Sequence, residues 1–403
     1  MAQFVVSIAA LKRNARILRE VKEAAGCNLV LALKGFSCWK AFPHIRDDLD
    51  GCCASGLWEA RLANEHFGKA VVTYSPGYTG DEIAELLEFT THLDFNSLSQ
   101  WFRFRDQVMV HPRFKRGELH CGLRVNPEHS TGSTPLYDPC VPGSRLGITA
   151  DQLADADLTG LSGLHFHTLC EQNSDDLETT LEAVDRRFGG LLRSPQFTYL
   201  NMGGGHWITK PDYDRERLIR LVREIRERYG LEVWLEPGEA CAIHTGVLRS
   251  TVIDVFESMG HRHAILDVSA TAHMPDVLEM PYRPDVFLVE KPSEYRGSSS
   301  AGAEPAVTVE NESYVASGGP GEGVTYRLGG PTCLAGDVVG DFSFSRELAP
   351  GDVLVFDDMA HYTMVKTTTF NGVPHPSIAL QHDDGRIETL REFVYEDFLN
   401  RLC

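Results

Sequence analysis

Eight short apolar runs, each bounded by turn residues, fill the first 235 positions of the chain, and they restrict its fold more than any other feature. They are residues 28–33, 51–54, 70–74, 92–95, 120–125, 161–167, 197–202 and 232–235. Val, Leu and Phe recur in them, and runs of this length read as strands. Between them lie amphipathic stretches at helical spacing, such as 57–67, 97–110, 175–188 and 212–229, with Asp or Ser placed to cap their N-termini. Eight β/α units in succession predict an α/β fold, a closed (β/α)8 TIM-type barrel. After Glu236 the rhythm changes. Val- and Thr-rich segments at 246–256, 264–269 and 352–356 follow one another without long helical patterns between them, which predicts a β-rich C-terminal domain. The expected division is a barrel over 8–247 and a β domain over 248–403, to which an N-terminal strand at 1–7 can be added. Residues 294–323, rich in Gly, Ser, Glu and Pro, read as an exposed loop or hairpin insertion. A chain of 403 residues suits this two-part plan, since single cores stop growing at about 250–300 residues.

Charge and cysteine usage narrow the function classes. The formal net charge of −19 argues against nucleic acid, which needs clustered Lys and Arg, and would draw a small cationic substrate inward, although acidity also serves solubility alone. The ten cysteines include the adjacent pair Cys52 and Cys53 but no Cys-x-x-Cys, so neither a disulfide framework nor a zinc ribbon is indicated. No apolar run approaches the ~20 residues of a membrane span. The N-terminus lacks the basic flank of a secretory signal. A cytoplasmic protein without a membrane partner is the expectation.

A barrel of this kind builds its active site at the C-terminal ends of its strands. Four ends carry chemistry: Lys34 after Leu31-Ala-Leu, His165-Phe-His167, Gly203-Gly-Gly205, and Glu236-Pro-Gly. A strand-end lysine can form a Schiff base with an aldehyde cofactor, and burial would move its amine toward the nucleophilic neutral form; a surface or salt-bridged lysine is the plainer alternative. Three glycines at the seventh strand leave backbone N–H groups open to a phosphate, although Gly-Gly-Gly can also be a simple turn. Glu236 follows Val-Trp-Leu, where an unpaired carboxylate is costly, and a pyridinium nitrogen would pair it; a structural salt bridge or helix start would as well. His165 and His167 point the same way by strand alternation, with Cys170 just beyond, so zinc competes with an imidazole stacked on a cofactor ring. No further carboxylate or histidine cluster supports a metal, and none is expected.

Taken together, Leu31-Ala-Leu-Lys34, Gly163-Leu-His-Phe-His167 with Leu169-Cys-Glu-Gln172, Met202-Gly-Gly-Gly205, Glu236-Pro-Gly-Glu-Ala240, Cys333-Leu-Ala-Gly-Asp337 and Asp358-Met-Ala-His-Tyr-Thr-Met-Val-Lys366 resemble the carboxynorspermidine and carboxyspermidine decarboxylases. These are relatives of the ornithine and diaminopimelate decarboxylases on the alanine-racemase-type barrel. The resemblance implies pyridoxal 5′-phosphate carried on Lys34, His167 stacked on its ring, Glu236 at the ring nitrogen, and Gly203, Gly204, Gly205 and Tyr362 at the phosphate. It implies Cys333 as a proton donor supplied by the partner subunit of a homodimer, and Asp337 beside the substrate. Glu239 stands where ornithine and diaminopimelate decarboxylases carry Arg, and with Asp276 it would grip the cationic tail of a carboxylated polyamine; an Asp in the position of Asp276 also often caps a helix. Gly35 replaces an expected Cys, Thr168 an expected Asn, and the insertion before residue 323 is long for the family.

The reaction so implied is loss of the substrate's α-carboxylate as carbon dioxide, with the ring as electron sink. A racemase on the same scaffold would need two opposed bases and a weaker partner for the ring nitrogen, such as Arg, and Glu236 argues against it. Decarboxylation of ornithine, lysine, diaminopimelate or a specialised analogue remains the alternative within the family. A non-catalytic cofactor-binding barrel would lack the β domain with Cys333 and Tyr362, and a metallohydrolase would hold metal at His165 and His167. Choice between carboxynorspermidine and carboxyspermidine turns on one methylene, worth about 1–3 kcal/mol, and belongs to pocket geometry.

Overall fold

A computed structural model describes residues 2–132, 134–290 and 304–403. The chain divides into two compact units, Arg13–Cys241 and a second made of Met1–Lys12 with Ala242–Cys403. Residues 294–303 of the Gly- and Ser-rich segment lie outside the described residues.

The strands in chain order begin with β1 (Gln3–Ser7) in the second unit. The barrel follows with β2 (Asn28–Ala32), β3 (Gly51–Ala54), β4 (Ala70–Tyr74), β5 (His92–Phe95), β6 (His120–Arg124), β7 (Gly163–His165), β8 (Tyr199–Asn201) and β9 (Glu232–Leu235). β2 to β9 are parallel to their neighbours and close into a barrel by pairing of β2 with β9. Four of the expected runs, β3, β4, β5 and β9, match end to end. The runs expected at 161–167 and 197–202 are reduced to three residues each, because the chain curves out of the ladder at the barrel mouth. It stays tethered there by Phe166 N–H to the Asn201 carbonyl and Met202 N–H to the Trp234 carbonyl, both at 2.9 Å.

Parallel barrel strands are covered on both faces, which is why they read as unbroken apolar runs; Leu29, Val30 and Leu31 of β2 are all fully buried. The interior packs Val30, Ala32, Cys53, Val72, Tyr199 and Trp234 together. Tyr199 reaches across this space because two strands give up their side chains to it. A Cβ on Gly163 would fall on the Tyr199 ring, and one on Gly122 would collide with the Tyr199 hydroxyl and with Asp94 Oδ1. The outer helices start as their sequences direct. Ser97 accepts from the Gln100 N–H before Leu98–Val110, Asp214 accepts from the Arg217 N–H before Arg215–Tyr229, and Gly230, at φ 72°, ends the latter. The expected helix over 57–67 is broken into an α-helical turn, Leu57–Leu62, and a π-helical turn, Ala63–Phe67.

In the second unit the remaining strands are β10 (Gly246–Ser258), β11 (His261–Leu266), β12 (Val286–Glu290), β13 (Ser313–Ala316), β14 (Val324–Gly329), β15 (Val338–Phe344), β16 (Val353–Phe356), β17 (Ser377–Gln381) and β18 (Ile387–Arg391). They form one mixed sheet in the order β13-β12-β16-β10-β1-β17-β18, with β11, β14 and β15 continuing from β10. β1 runs antiparallel to β10 and parallel to β17. Strand alternation gives this sheet two apolar faces. Phe4, Leu248, Leu288, Leu354 and Phe356 pack on one face, and Val5, Val247, Phe287, Val355 and Ala379 on the other. Among the described residues no helix is long and apolar enough to cross a membrane.

Candidate active site

The C-terminal end of the barrel gathers Lys34, His165, His167, Gly203, Gly204, Gly205 and Glu236. Lys34 lies two residues past β2, in a turn held by the Gly35 N–H to the Ala32 carbonyl at 3.0 Å. The neighbouring strand end is joined to it by the Ala32 N–H and the Pro237 carbonyl at 3.0 Å. A side chain at Gly35 would meet the Gly238 backbone at 3.0 Å, which gives that glycine a packing reason. Lys34 itself is exposed, as in the plainer reading of the sequence, and is not buried within this chain.

Glu236 is 7% exposed, directly after β9. Its Oε1 accepts from Asn201 Nδ2 at 2.6 Å, while Oε2 is 3.6 Å from His165 Nε2, beyond hydrogen-bond reach and open to a further donor. The Cys53 thiol lies beside the same carboxylate; burial first, then the Glu236 charge, pushes it well above the ordinary thiol range. His167 is half-buried. Its Nδ1 accepts from the Gly204 N–H at 2.8 Å, which leaves the ring proton on Nε2. Burial, reinforced by the Lys34 charge, holds this imidazole well below its usual range, so it is a neutral ring.

The three glycines differ from the sequence reading. Gly203 N–H already donates to Asn201 Oδ1 at 3.0 Å and Gly204 N–H to His167 Nδ1, so these two amides are engaged. Gly205, at φ 83°, keeps an N–H with no acceptor among the described residues, and a Cβ there would collide with the Leu169 carbonyl. The glycines thus serve close packing of neighbouring strand ends as well as leaving one amide for an anion.

His165 is not a second stacking ring. It is 1% exposed, stands edge-on to Tyr74 at 5.2 Å between centroids, and lies between two carboxylates, with Nδ1 3.7 Å from Asp94 Oδ2 and Nε2 3.6 Å from Glu236 Oε2. Burial lowers it to about 4. Asp94, fully buried, accepts from the Tyr199 hydroxyl at 2.7 Å and is raised to about 7 by burial. Arg124 spans the same level, its Nη2 donating to the His167 carbonyl at 3.1 Å and its guanidinium lying 4.6 Å from the Tyr74 ring centre. Asp94, Arg124 and Asn201 were not singled out from sequence. The signal was available, since each is a polar residue at or near the inward-facing end of an apolar barrel strand, the pattern that marked Glu236. No group of three His, Cys, Asp or Glu side chains among the described residues could hold a metal ion.

Glu239 opens the short helix Glu239–Ala242, and its Oε1 accepts from Trp207 Nε1 at 2.9 Å. The other expected residues belong to the second unit. Cys333 is exposed, on a loop whose backbone N–H donates to Asn371 Oδ1 at 2.8 Å. Asp337 is buried, and its carboxylate accepts from Ser269 Oγ, the Thr271 N–H, and both the N–H and hydroxyl of Thr332. It anchors the Pro-Thr-Cys loop, with its oxygens already occupied. Asp276 pairs with Lys366, which also contacts Glu279 at 2.7 Å. Tyr362 sits in a left-handed backbone conformation at φ 46°.

The sequence model of the family described as pyridoxal-dependent decarboxylase, C-terminal sheet domain, matches residues 4–360. The chain belongs to the pyridoxal-dependent decarboxylases. Among curated relatives of this decarboxylase, the carboxyaminopropylagmatine decarboxylase of Synechocystis sp. is 44% identical over 400 residues, covering 99% of this chain and 94% of the relative. The carboxynorspermidine/carboxyspermidine decarboxylase of Campylobacter jejuni is 41% identical over 388 residues, covering 96% and 94%. The crystal structure of carboxynorspermidine decarboxylase complexed with norspermidine, also from Campylobacter jejuni, superposes with a TM-score of 0.84 at 37% identity over 100% of this chain and 99% of that one. Diaminopimelate decarboxylase from Helicobacter pylori, at 16% identity and a TM-score of 0.79, shares the fold.

The decarboxylase's barrel end fits its cofactor. An exposed lysine amine, a nearly buried carboxylate with one oxygen open, a neutral imidazole face and a free glycine amide are the donor set that pyridoxal phosphate requires.

Proposed function

We propose that this decarboxylase acts on a carboxylated polyamine, carboxynorspermidine or carboxyspermidine, giving norspermidine or spermidine and carbon dioxide in polyamine biosynthesis. The observation that carries the reading is Glu239. It places a fixed negative charge three residues past Glu236, held by the Trp207 indole, where an amine tail rather than a carboxylate is attracted. The Synechocystis relative's name raises a guanidinium-ended substrate as a second reading. A guanidinium fork is best met by both oxygens of a carboxylate. The two readings are separated by comparing kcat/KM on an amine-ended and a guanidinium-ended substrate.

Pyridoxal phosphate supplies the electron sink that receives the pair left when the carboxylate departs. Lys34 would hold the cofactor through its exposed amine, and the same amine would serve product release. Glu236 keeps the ring nitrogen protonated; each pKa unit gained by such a pair is worth about 1.4 kcal/mol. His167 would pack its neutral ring on the cofactor face. The Gly203–Gly205 turn would hold the phosphate, with the Gly205 amide as its donor and Tyr362 assisting. Cys333, supplied by the partner copy of a homodimer, returns a proton to the α-carbon. Asp337 acts on the substrate through the loop it anchors. Asp276 and Glu279 share Lys366 and so leave one net negative charge for the amine tail. All ten cysteines are free, which supports a reducing, cytoplasmic setting.

Glu239→Gln tests the substrate reading. Losing a charge-assisted hydrogen bond of about 1.5–3 kcal/mol raises KM for the polyamine by ~10-fold or more, and an unaltered KM contradicts the assignment.

A further inference from the structure

Behind Glu236 the barrel contains a polar layer that the reaction described above does not use. Tyr199 on β8, Asp94 on β5, His165 on β7 and Glu236 after β9 follow one another across the interior. The Tyr199 hydroxyl is 2.7 Å from Asp94 Oδ1, Asp94 Oδ2 is 3.7 Å from His165 Nδ1, and His165 Nε2 is 3.6 Å from Glu236 Oε2. Asp94 Oδ2 and both His165 nitrogens are buried without a hydrogen-bond partner among the described residues. Such orphaned groups are costly unless they satisfy one another. The barrel is built around the layer, since Gly122 and Gly163 are the positions where any side chain would collide with Asp94 or Tyr199.

We propose that these four residues form one directed hydrogen-bond chain, in which a protonated Asp94 donates to His165 Nδ1 and thereby fixes the His165 Nε2–H toward Glu236. Asp94 and His165 are then positioning residues. The proposal rests on Glu236 facing the cofactor's ring nitrogen. Its effect is to hold a donor against Glu236 Oε2, so that the ring's proton stays on nitrogen and does not pass to the carboxylate.

Proton bookkeeping selects this arrangement. A neutral imidazole offers one N–H and one lone pair. Two ionised carboxylates would leave the lone pair facing a negative oxygen, so either the imidazole is doubly protonated or one carboxyl keeps its proton. Burial of the ring, which lowers His165 to about 4, disfavours the imidazolium. Between the carboxyls, Glu236 receives the Asn201 N–H and lies at the mouth, whereas Asp94 is fully buried and raised to about 7. The other groups facing Asp94 are Arg124 and Cys121 from β6, Tyr74 from β4, and Tyr78, whose hydroxyl reaches the Asp94 carbonyl at 3.3 Å. Of these only Arg124 carries charge, and it favours the ionised form, as the Tyr199 hydrogen bond does. Burial outweighs both. A relaxation of under about 1 Å at each gap brings the chain to hydrogen-bond distance.

The test is the His165 tautomer, read by ¹⁵N NMR of histidine-labelled protein without cofactor and assigned by its absence in His165→Gln. At pH 6 the proposal requires a neutral ring protonated at Nε2. Asp94→Asn, whose amide donates in the same direction, keeps that tautomer from pH 6 to 8.5, while wild type changes around pH 7 and Asp94→Leu leaves the tautomers mixed. With cofactor bound, the visible-edge absorbance shifts across the same range in wild type and is flat in Asp94→Asn. An imidazolium at pH 6, an Nδ1–H tautomer, or an Asp94→Asn protein that behaves as Asp94→Leu overturns the proposal. The placement of the cofactor against Glu236 fails by a different result, a Glu236→Gln protein whose bound-cofactor spectrum is unchanged.

Discussion

Glu236 closes an apolar strand with a carboxylate that the fold buries to 7% exposure, against the Asn201 amide and the Cys53 thiol. Burying such a group costs stability unless donors satisfy it, and a cofactor ring nitrogen facing it would add one. Lys34 is the complementary residue, an exposed amine on the adjoining strand end. Lys34→Ala is expected to abolish the visible-edge absorbance of the purified, cofactor-loaded protein. A retained band would show the cofactor attached elsewhere. Lys34, His167 and Glu236 were legible because a strand-end position in a barrel assigns a direction to a side chain before any coordinates exist. Asp94, Arg124 and Asn201 obey the same rule but sit at or before the last strand residue, inside runs that read as core. His165 was read only as pointing the same way as His167, and its place between two carboxylates depends on β5, a strand not adjacent to it.

At the scale of elements, the barrel strands were legible because parallel strands buried on both faces leave uninterrupted apolar runs between turns. The short β7 and β8 were overread, since the apolar residues that follow them fill the barrel mouth without joining the ladder. Much of the second unit was missed for the opposite reason. β13 and β18 are partly exposed and carry mixed residues, so they lack the periodic signal that β10 and β16 show. The pairing of glycine and tyrosine across β7 and β8 makes a direct prediction. Gly163→Ala drives a methyl into the Tyr199 ring and should destabilise the protein by about 1–3 kcal/mol, read as a lower urea midpoint, with Tyr199→Ala restoring part of the loss in the double variant. An unchanged midpoint in the single variant would mean the interior is not packed as described.

At the scale of the whole molecule, burial holds several of the sixteen histidines below their usual range. His92 is lowered to about 3 by burial and by His120, and His165, His206 and His273 to about 4, each chiefly by burial. Below about 6.5 the unfolded chain protonates these rings and the folded chain does not until near 4, so stability present above ~6.5 is lost as pH falls. Asp94 acts the other way: raised to about 7, it favours the folded state at low pH and loses that contribution as pH rises from ~4 to 7. With His167 and His375 also lowered, six rings outweigh the two raised carboxyls, Asp94 and Asp357, and each excess proton contributes about 1.4 kcal/mol per pH unit. The urea midpoint of the protein is therefore expected to fall steadily from pH 7 to pH 5, and a midpoint that is flat or rises over that range would contradict the neutral burial of these rings.

Decarboxylation of a carboxylated polyamine is read out by carbon dioxide release. The purified protein loaded with pyridoxal phosphate is offered carboxynorspermidine, carboxyspermidine and carboxyaminopropylagmatine, with ornithine, lysine and diaminopimelate as controls. Release from a carboxylated polyamine, with the highest kcat/KM on an amine-ended one and loss in Lys34→Ala, is the result expected. Faster release from ornithine, lysine or diaminopimelate than from any carboxylated polyamine would contradict it.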